Sequence, residues 1–288
     1  MKKNNETKKD SKRFFTRQLM SWNQDKNQRN MPWKGEKDPY KIWLSEVMLQ
    51  QTQVDRVVSF FDTWMKSFPT IQKLANASQI DVLKKWKGLG YNSRAIRMKQ
   101  AAQVIMNDYK GKFPSNYAEL QKLPGIGPYT AGAIYAFANN QPIAIIETNI
   151  RRVLIHHFFA DHTDVRDEDI LKLVELSMDN NNPREWYWAL MDYGSFLGRT
   201  LNIKGKKYNP NTQSKHYAKQ SKFEGSDREI RSNILRLLLE NNDSILKNKL
   251  MKYITSFSTD EKRLEKIMSQ MQREGYFELV GKNIKLKK

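Results

Sequence analysis

The sequence predicts a mostly α-helical, two-lobed protein organised round a helix–hairpin–helix turn, with a winged-helix-like domain at its C-terminal end. Three observations carry that reading. Apolar residues recur at helical spacing from Phe14 to about Ile203. The segment Leu123-Pro124-Gly125-Ile126-Gly127-Pro128-Tyr129-Thr130-Ala131-Gly132 has to reverse the chain between two helices, because Pro-Gly-x-Gly cannot continue a helix and glycine accepts positive φ. Beyond Phe223, three amphipathic segments precede a terminal hairpin, the order of a winged helix.

Residues 1–13 are Lys- and Asn-rich without an apolar core, and read as a solvated basic tail rather than a secretory signal. Val47, Val54, Val57, Val58, Phe61 and Met65 then fall at mostly helical spacings, with Leu83, Trp86 and Leu89 in a shorter element. Phe113-Pro114-Ser115 marks a stop and restart before a helix ending at Leu123. Thr130 to Asn139, rich in Ala and Ile, starts a new helix. The run Ile143 to Ile146 could pass for a strand, yet with helices on both sides it reads as the buried lead-in to a helix beginning near Thr148 or Asn149. These elements place one domain over residues 14–203.

A break in composition follows at 204–222, where Gly205, Asn209, Pro210 and Asn211 sit among lysines, as in a basic linker. The last domain, 223–288, is expected to carry helices over Asp227–Glu240, Ser244–Ile254 and Thr259–Arg273. A hairpin from Gly275 to Leu286 closes it, with Gly-Lys-Asn at its turn.

Composition narrows the chemistry. Fifty Lys and Arg stand against 31 Asp and Glu, a net charge of +19 that favours a polyanionic partner, nucleic acid foremost. There is no cysteine, which excludes disulfides, thiolate zinc sites and iron–sulfur clusters. No apolar run approaches the roughly 20 residues needed to span a bilayer. A soluble, cytoplasmic, nucleoid-associated monomer that does not engage membranes is the expectation.

The first N–H groups of the helix after the hairpin point out beside a glycine turn, which makes an anion site the size of a phosphate. A helix–hairpin–helix of this kind grips a DNA backbone without reading sequence. Glu147-Thr148-Asn149 follows shortly afterwards, and a carboxylate there points to chemistry beyond binding.

A second segment, Asp38-Pro39-Tyr40-Lys41-Ile42-Trp43-Leu44-Ser45-Glu46-Val47-Met48-Leu49-Gln50-Gln51-Thr52-Gln53-Val54, joins Gly88-Leu89-Gly90-Tyr91 and the hairpin in one ordered pattern. From about Pro32 to Gly194 the chain resembles the MutY-type adenine DNA glycosylases of the helix–hairpin–helix (HhH-GPD) superfamily, as an iron–sulfur-free variant. A glycosylase flips a nucleotide out of the stack and cleaves its N-glycosidic bond, using an acid for the leaving base and a negative group facing a cationic sugar. Glu46 lies in an otherwise apolar helix, where burial would hold its proton near neutrality. The resemblance makes Glu46 the general acid. It puts Glu147 where the family carries Asp, and Asn149 beside that acid to orient the carboxylate or the water. Tyr129 occupies the hairpin position held by Lys in the bifunctional lyases; a phenol forms no Schiff base, which implies a monofunctional enzyme.

By the same resemblance, Gln50, Gln51 and Tyr91 wedge into the duplex, while Gly125, Gly127 and Thr130 hold the backbone. The family's cluster-binding loop falls at Asn202 to Lys222, where Lys204, Lys206, Lys207 and Lys215 would contact phosphates directly. No organic cofactor is implied, although an alkali cation at the hairpin is. Two further departures bear on the base pocket: Trp188 stands where adenine-specific members place Gln or Glu, and Lys34 where they carry Arg. The expected activity is excision of adenine opposite G or 8-oxoguanine from double-stranded DNA. A thymine/uracil–guanine or modified-base glycosylase is the alternative, and a catalytically inactive DNA-binding protein on the same scaffold the further one.

Overall fold

The computed structural model describes residues 2–27, 29–203, 206–241, 243–256 and 260–287, with side chains from Phe14 onward apart from residues 202–207. In chain order the first helices are α1 (Lys2–Asp25), α2 (Pro39–Leu49), α3 (Val54–Ser67), α4 (Ile71–Asn76), α5 (Gln79–Trp86), α6 (Ser93–Asp108) and α7 (Tyr117–Leu120). The hairpin leads into α8 (Pro128–Asn139), followed by α9 (Thr148–Phe158), α10 (Asp167–Ser177) and α11 (Pro183–Thr200). Two short strands, β1 (Asn202–Ile203) and β2 (Lys206–Lys207), pair antiparallel ahead of a 3₁₀ turn at Pro210–Gln213. The remainder is α12 (Asp227–Glu240), β3 (Ser244–Leu246), α13 (Lys247–Thr255), α14 (Glu261–Arg273), β4 (Phe277–Val280) and β5 (Asn283–Leu286).

Local chemistry sets most of these boundaries. Thr70, Ser78, Ser226 and Asp260 each accept a backbone N–H from the first turn of the helix they precede, satisfying donors that would otherwise be orphaned. Pro128 and Pro183 open α8 and α11, where their missing N–H costs nothing. α2 and α3 are separate helices, split by Gln50–Gln53, although Val47 and Val54 had suggested a continuous spacing.

The contacts resolve into two compact units that each draw on distant parts of the chain. The first comprises residues 1–46, 114–122 and 126–219; the second comprises 47–113, 123–125 and 220–288. In the first, α1 lays Phe15 against His157 and Phe158 of α9, and the Thr16 hydroxyl donates to the Ser177 carbonyl at the end of α10. The expected tail is thus corrected to helical backbone from Lys2, continuous with this anchored stretch. The expected linker is also corrected. Residues up to Lys219 belong to the first unit: Asn211 is buried and donates to the Thr148 carbonyl, and Gln213 donates to the carbonyls of Ala160 and His162.

In the second unit, α12, α13 and α14 cover a three-stranded antiparallel sheet ordered β3-β5-β4, a winged-helix arrangement. The sequence reading placed Ser244 at the start of a helix; Ser244–Leu246 is instead a strand held by Asn283–Lys285. Leu83 of α5 and Ile96 of α6 sit in the same apolar core as Ile230, Ile234, Leu264, Met271 and Phe277. The Gln79 amide donates to the carbonyls of Gly275 and Tyr276. The C-terminal domain therefore shares its core with the helices that precede the hairpin.

Candidate active site

Glu46 sits near the end of α2, buried to 6% exposure. Its Oε2 accepts a 2.8 Å hydrogen bond from the hydroxyl of Tyr129, the second residue of α8. Burial pushes the Glu46 carboxyl up to about 7; the Tyr129 bond pulls the other way, and the charge of Glu147 adds to the rise. Tyr129 itself is held well above an ordinary phenol by burial and by both carboxylates.

Glu147 is the N-cap of α9. One carboxylate oxygen accepts the backbone N–H groups of Asn149 at 2.7 Å and Ile150 at 2.8 Å, and the other accepts the Asn149 side-chain amide at 3.3 Å. The longer side chain thus curls back on its own helix end, where the dipole favours a negative charge. Burial raises its carboxyl, against those two N–H groups and the nearby Arg152 and Arg151 guanidinium groups. Glu46 accepts one hydrogen bond, whereas Glu147 accepts three and has cationic neighbours, so the charged form is better supported at Glu147 than at Glu46.

The extended run before Glu147 is fixed from two sides. Ile145 packs so closely on Gly132 of α8 that a Cβ there would lie 2.2 Å from its methyl group. The Tyr187 hydroxyl of α11 donates to the Ile143 carbonyl and accepts the Ile145 N–H. The hairpin helix that carries Tyr129 and the lead-in that carries Glu147 are thereby locked together.

Several residues outside the sequence reading complete the site. Arg152 donates to the Asn149 side-chain oxygen at 2.7 Å and to the Gly194 carbonyl at 2.8 Å, orienting the amide that touches Glu147. Gly194 and Gly198 on α11 make room: a Cβ at 194 would stand 2.5 Å from the Asn149 carbonyl, and one at 198 would stand 2.8 Å from Arg152. Their spacing of four on one helix face was the available signal.

The Lys34 ammonium donates to the buried Asp192 at 2.9 Å and to the Arg29 carbonyl, with Arg29 and Asn27 on the same carboxylate. A buried carboxylate needs such partners, and Asp192 takes three. Trp188 leans on Phe137, with ring centroids 6.1 Å apart. The Thr130 side chain is also corrected, from a DNA contact to the core, at 3% exposure. Gly125 has the positive φ expected of the turn, at 77°, and a Cβ there would meet Arg97; Gly127 is extended, and a Cβ there would meet open space. Lys204 lies outside the described residues, and Lys206 and Lys207 lie in β2.

The proposed wedge residues occupy two loops of the second unit. Gln51 (φ 56°) and Tyr91 (φ 48°) are both exposed and both left-handed, a strained backbone for residues with side chains. Arg94, in the first turn of α6, ties the loops together. Its guanidinium donates to the carbonyls of Val47 and Gln50 on one side and of Leu89 and Gly90 on the other, and lies 5.1 Å from the Trp86 ring. Burial pulls Arg94 down to about 10. No sequence motif marked it.

Residues 44–176 match the family model of the HhH-GPD superfamily of base excision DNA repair proteins. Its curated relatives include adenine DNA glycosylases. That of Buchnera aphidicola subsp. Baizongia pistaciae is 36% identical over 191 residues, covering 66% of this chain and 54% of the relative. That of Rattus norvegicus is 36% identical over 193 residues, covering 63% and 37%. The chain spans about half the length of the bacterial relative or less of the mammalian one. Among solved structures, a thermostable thymine-DNA glycosylase superposes with TM-score 0.59 at 25% identity, covering 73% of this chain and 97% of that one. Endonuclease III in a trapped DNA complex superposes with TM-score 0.53 at 18% identity, covering 69% and 90%, a likeness of fold. No described helix is long and apolar enough to cross a membrane.

Proposed function

We propose that this chain is a monofunctional DNA glycosylase that flips and excises a mispaired base in base excision repair, with adenine opposite G or 8-oxoguanine as its substrate. The observation that carries the reading is the pair of carboxyls in one unit, Glu46 hydrogen-bonded to the Tyr129 hydroxyl and Glu147 capping the N-terminus of α9. The adenine glycosylase relatives favour adenine as the base.

The Glu46 proton passes to a ring nitrogen of the departing base while the C1′–N bond breaks and its electron pair leaves with the base. The Glu147 carboxylate, steadied by Asn149, faces the cationic sugar. Water adds to C1′ and returns a proton to Glu46, which restores the acid. Tyr129 holds the Glu46 carboxyl in place and offers no amine, so the abasic product is released without strand cleavage.

DNA is held through the N-terminal N–H groups of α8, the exposed Gly125 and Gly127, and the basic residues of 204–215, while Gln50, Gln51 and Tyr91 fill the gap in the stack. The turn at Leu123–Gly125 offers only main-chain carbonyls, a donor set that suits an alkali cation, which would supply positive charge beside a phosphate.

Single-turnover release from labelled duplexes with A opposite G, A opposite 8-oxoguanine, T opposite G and U opposite G tests the reading. Alkali would cleave the abasic strands, and Glu46→Gln would serve as control. Release of A alone is expected. Release of T or U would place the enzyme on the pyrimidine branch, and tight binding with no release would leave a DNA-binding protein.

A further inference from the structure

The two wedge loops are touched by the C-terminal part of the same unit. The Gln220 amide nitrogen donates to the Gln51 side-chain oxygen at 2.9 Å and also to the Tyr91 hydroxyl. Arg228, in the first turn of α12, donates to that hydroxyl at 2.7 Å and sets its guanidinium 5.7 Å from the Tyr91 ring. Arg94 lies 5.6 Å from the same ring, so Tyr91 has two guanidinium neighbours. Two donors on the phenol oxygen leave Tyr91 one remaining act, donation of its own proton to whatever it enters against.

Arg228 is itself fixed: its other nitrogen donates to the carbonyls of Ser221 and Lys222, which holds the irregular segment carrying Gln220 against the start of α12. α12 in turn is rooted through Ile230 and Ile234 in the core that contains Leu83 and Ile96, from the helices flanking Tyr91. The chain of contacts from the winged-helix core to the Tyr91 hydroxyl is thus continuous and lies within one unit.

We infer that Gln220 and Arg228 are positioning residues for DNA: they brace the side chains of Gln51 and Tyr91, carried on left-handed backbone, in the geometry that enters the duplex. The inference rests on the wedge role given to those residues above. It assigns the winged-helix domain a part in base flipping, because Arg228 on α12 and the Gln220 segment held by it donate to the wedge side chains.

The test uses the full chain and a duplex in which guanine faces a tetrahydrofuran abasic analogue, with 2-aminopurine beside the analogue to report unstacking. Wild-type protein is expected to raise the fluorescence at saturation. Arg228→Ala and Gln220→Ala are expected to need about tenfold more protein for the same rise, as for the loss of one or two net hydrogen bonds. Their binding to undamaged duplex should stay near wild type. Arg228→Lys keeps the charge but not the planar fork and should share the defect, as should Tyr91→Phe, which keeps the ring and removes the hydroxyl.

A wild-type response from Arg228→Ala with unchanged folding by circular dichroism would overturn the brace, as would an intact response from Tyr91→Phe. A response at lower protein concentration would overturn it by reversing its sign, making the contact a clasp that withholds Tyr91. No fluorescence change with wild-type protein, despite tight binding of the analogue, would overturn the wedge and the brace together. Base release in the four-duplex assay decides the glycosylase reading independently.

Discussion

The Tyr129 hydroxyl donates to Glu46 Oε2 across 2.8 Å, joining the first residues of the hairpin helix to a carboxyl buried near the end of α2. That bond opposes the rise that burial imposes on the Glu46 carboxyl. Burial holds the carboxyl near 7, and the phenol restrains a larger rise. Base release that needs the Glu46 proton should therefore fall as pH climbs through about 7. Tyr129→Phe removes the restraint and should move that alkaline limb upward, at some loss of maximal rate. A pH profile of single-turnover release checks this; an unmoved limb in Tyr129→Phe would separate the bond from the titration.

The same shift has a consequence for folding. A carboxyl raised from 4.5 to about 7 binds its proton more tightly in the folded state, so its contribution is fully present below about 4.5 and lost as pH rises through about 7. Glu46→Gln cannot lose it. Relative to wild type, the variant should gain stability between pH 4.5 and 8, by up to about 3 kcal/mol for a shift of that size. Urea melts at both pH values measure the difference, while release by Glu46→Gln should drop by about 10²–10⁴.

Glu147 does two tasks with one carboxylate, capping α9 and presenting a negative charge. Glu147→Ala should cost about 0.5–2 kcal/mol as a lost cap and lower release by about 10²–10³. Asp also caps well, so Glu147→Asp should keep the stability and remain within about tenfold in rate. Thermal melts paired with single-turnover rates separate the two tasks. A Glu147→Ala variant that melts early but reacts normally would confine the residue to the cap.

The chemistry of this site was more legible than its support. Glu46, Tyr129, Glu147 and Asn149 stand in motifs, and α9 begins at Thr148, one of the two residues at which its start is expected. Their neighbours declare themselves only in three dimensions. The partner of the Lys34 ammonium, Asp192, lies 158 positions away. Residues 206–219 have the composition of a linker, but the side chains of Asn209, Asn211 and Gln213 use that polarity to cap and cross-link. Strand β3 has three residues and exists because Asn283–Lys285 pairs with it, a non-local cause that local periodicity cannot carry.

Gly194 sets how near α11 comes to α9. A Cβ there would meet the Asn149 carbonyl at 2.5 Å and the Asn149 Cβ at 2.6 Å, both on an element that cannot swing away cheaply. Gly194→Ala should destabilise by about 1–3 kcal/mol and displace the amide that orients Glu147. Release should then fall further than the loss of stability alone explains when measured well below the melting temperature. An alanine tolerated in both assays would mean that the two helices can separate without disturbing the site.

Arg94 is the residue on which the geometry of both wedge loops depends. Its five donors are fixed in one plane and answer carbonyls at the end of α2 and in the turn before α6, where the chain runs through the left-handed conformations of Gln51 and Tyr91. Lysine offers a single nitrogen and cannot reach both sides, so Arg94→Lys should behave nearly as Arg94→Ala does. Carbonyls left without a donor make the strained backbone relax, at about 2–4 kcal/mol of stability. Amide hydrogen exchange at Gln51, Thr52, Tyr91 and Asn92 should quicken together, while the amides of Asn149 and Ile150 at the Glu147 cap keep their protection. Quickening in only one loop would show that the other holds its shape without Arg94.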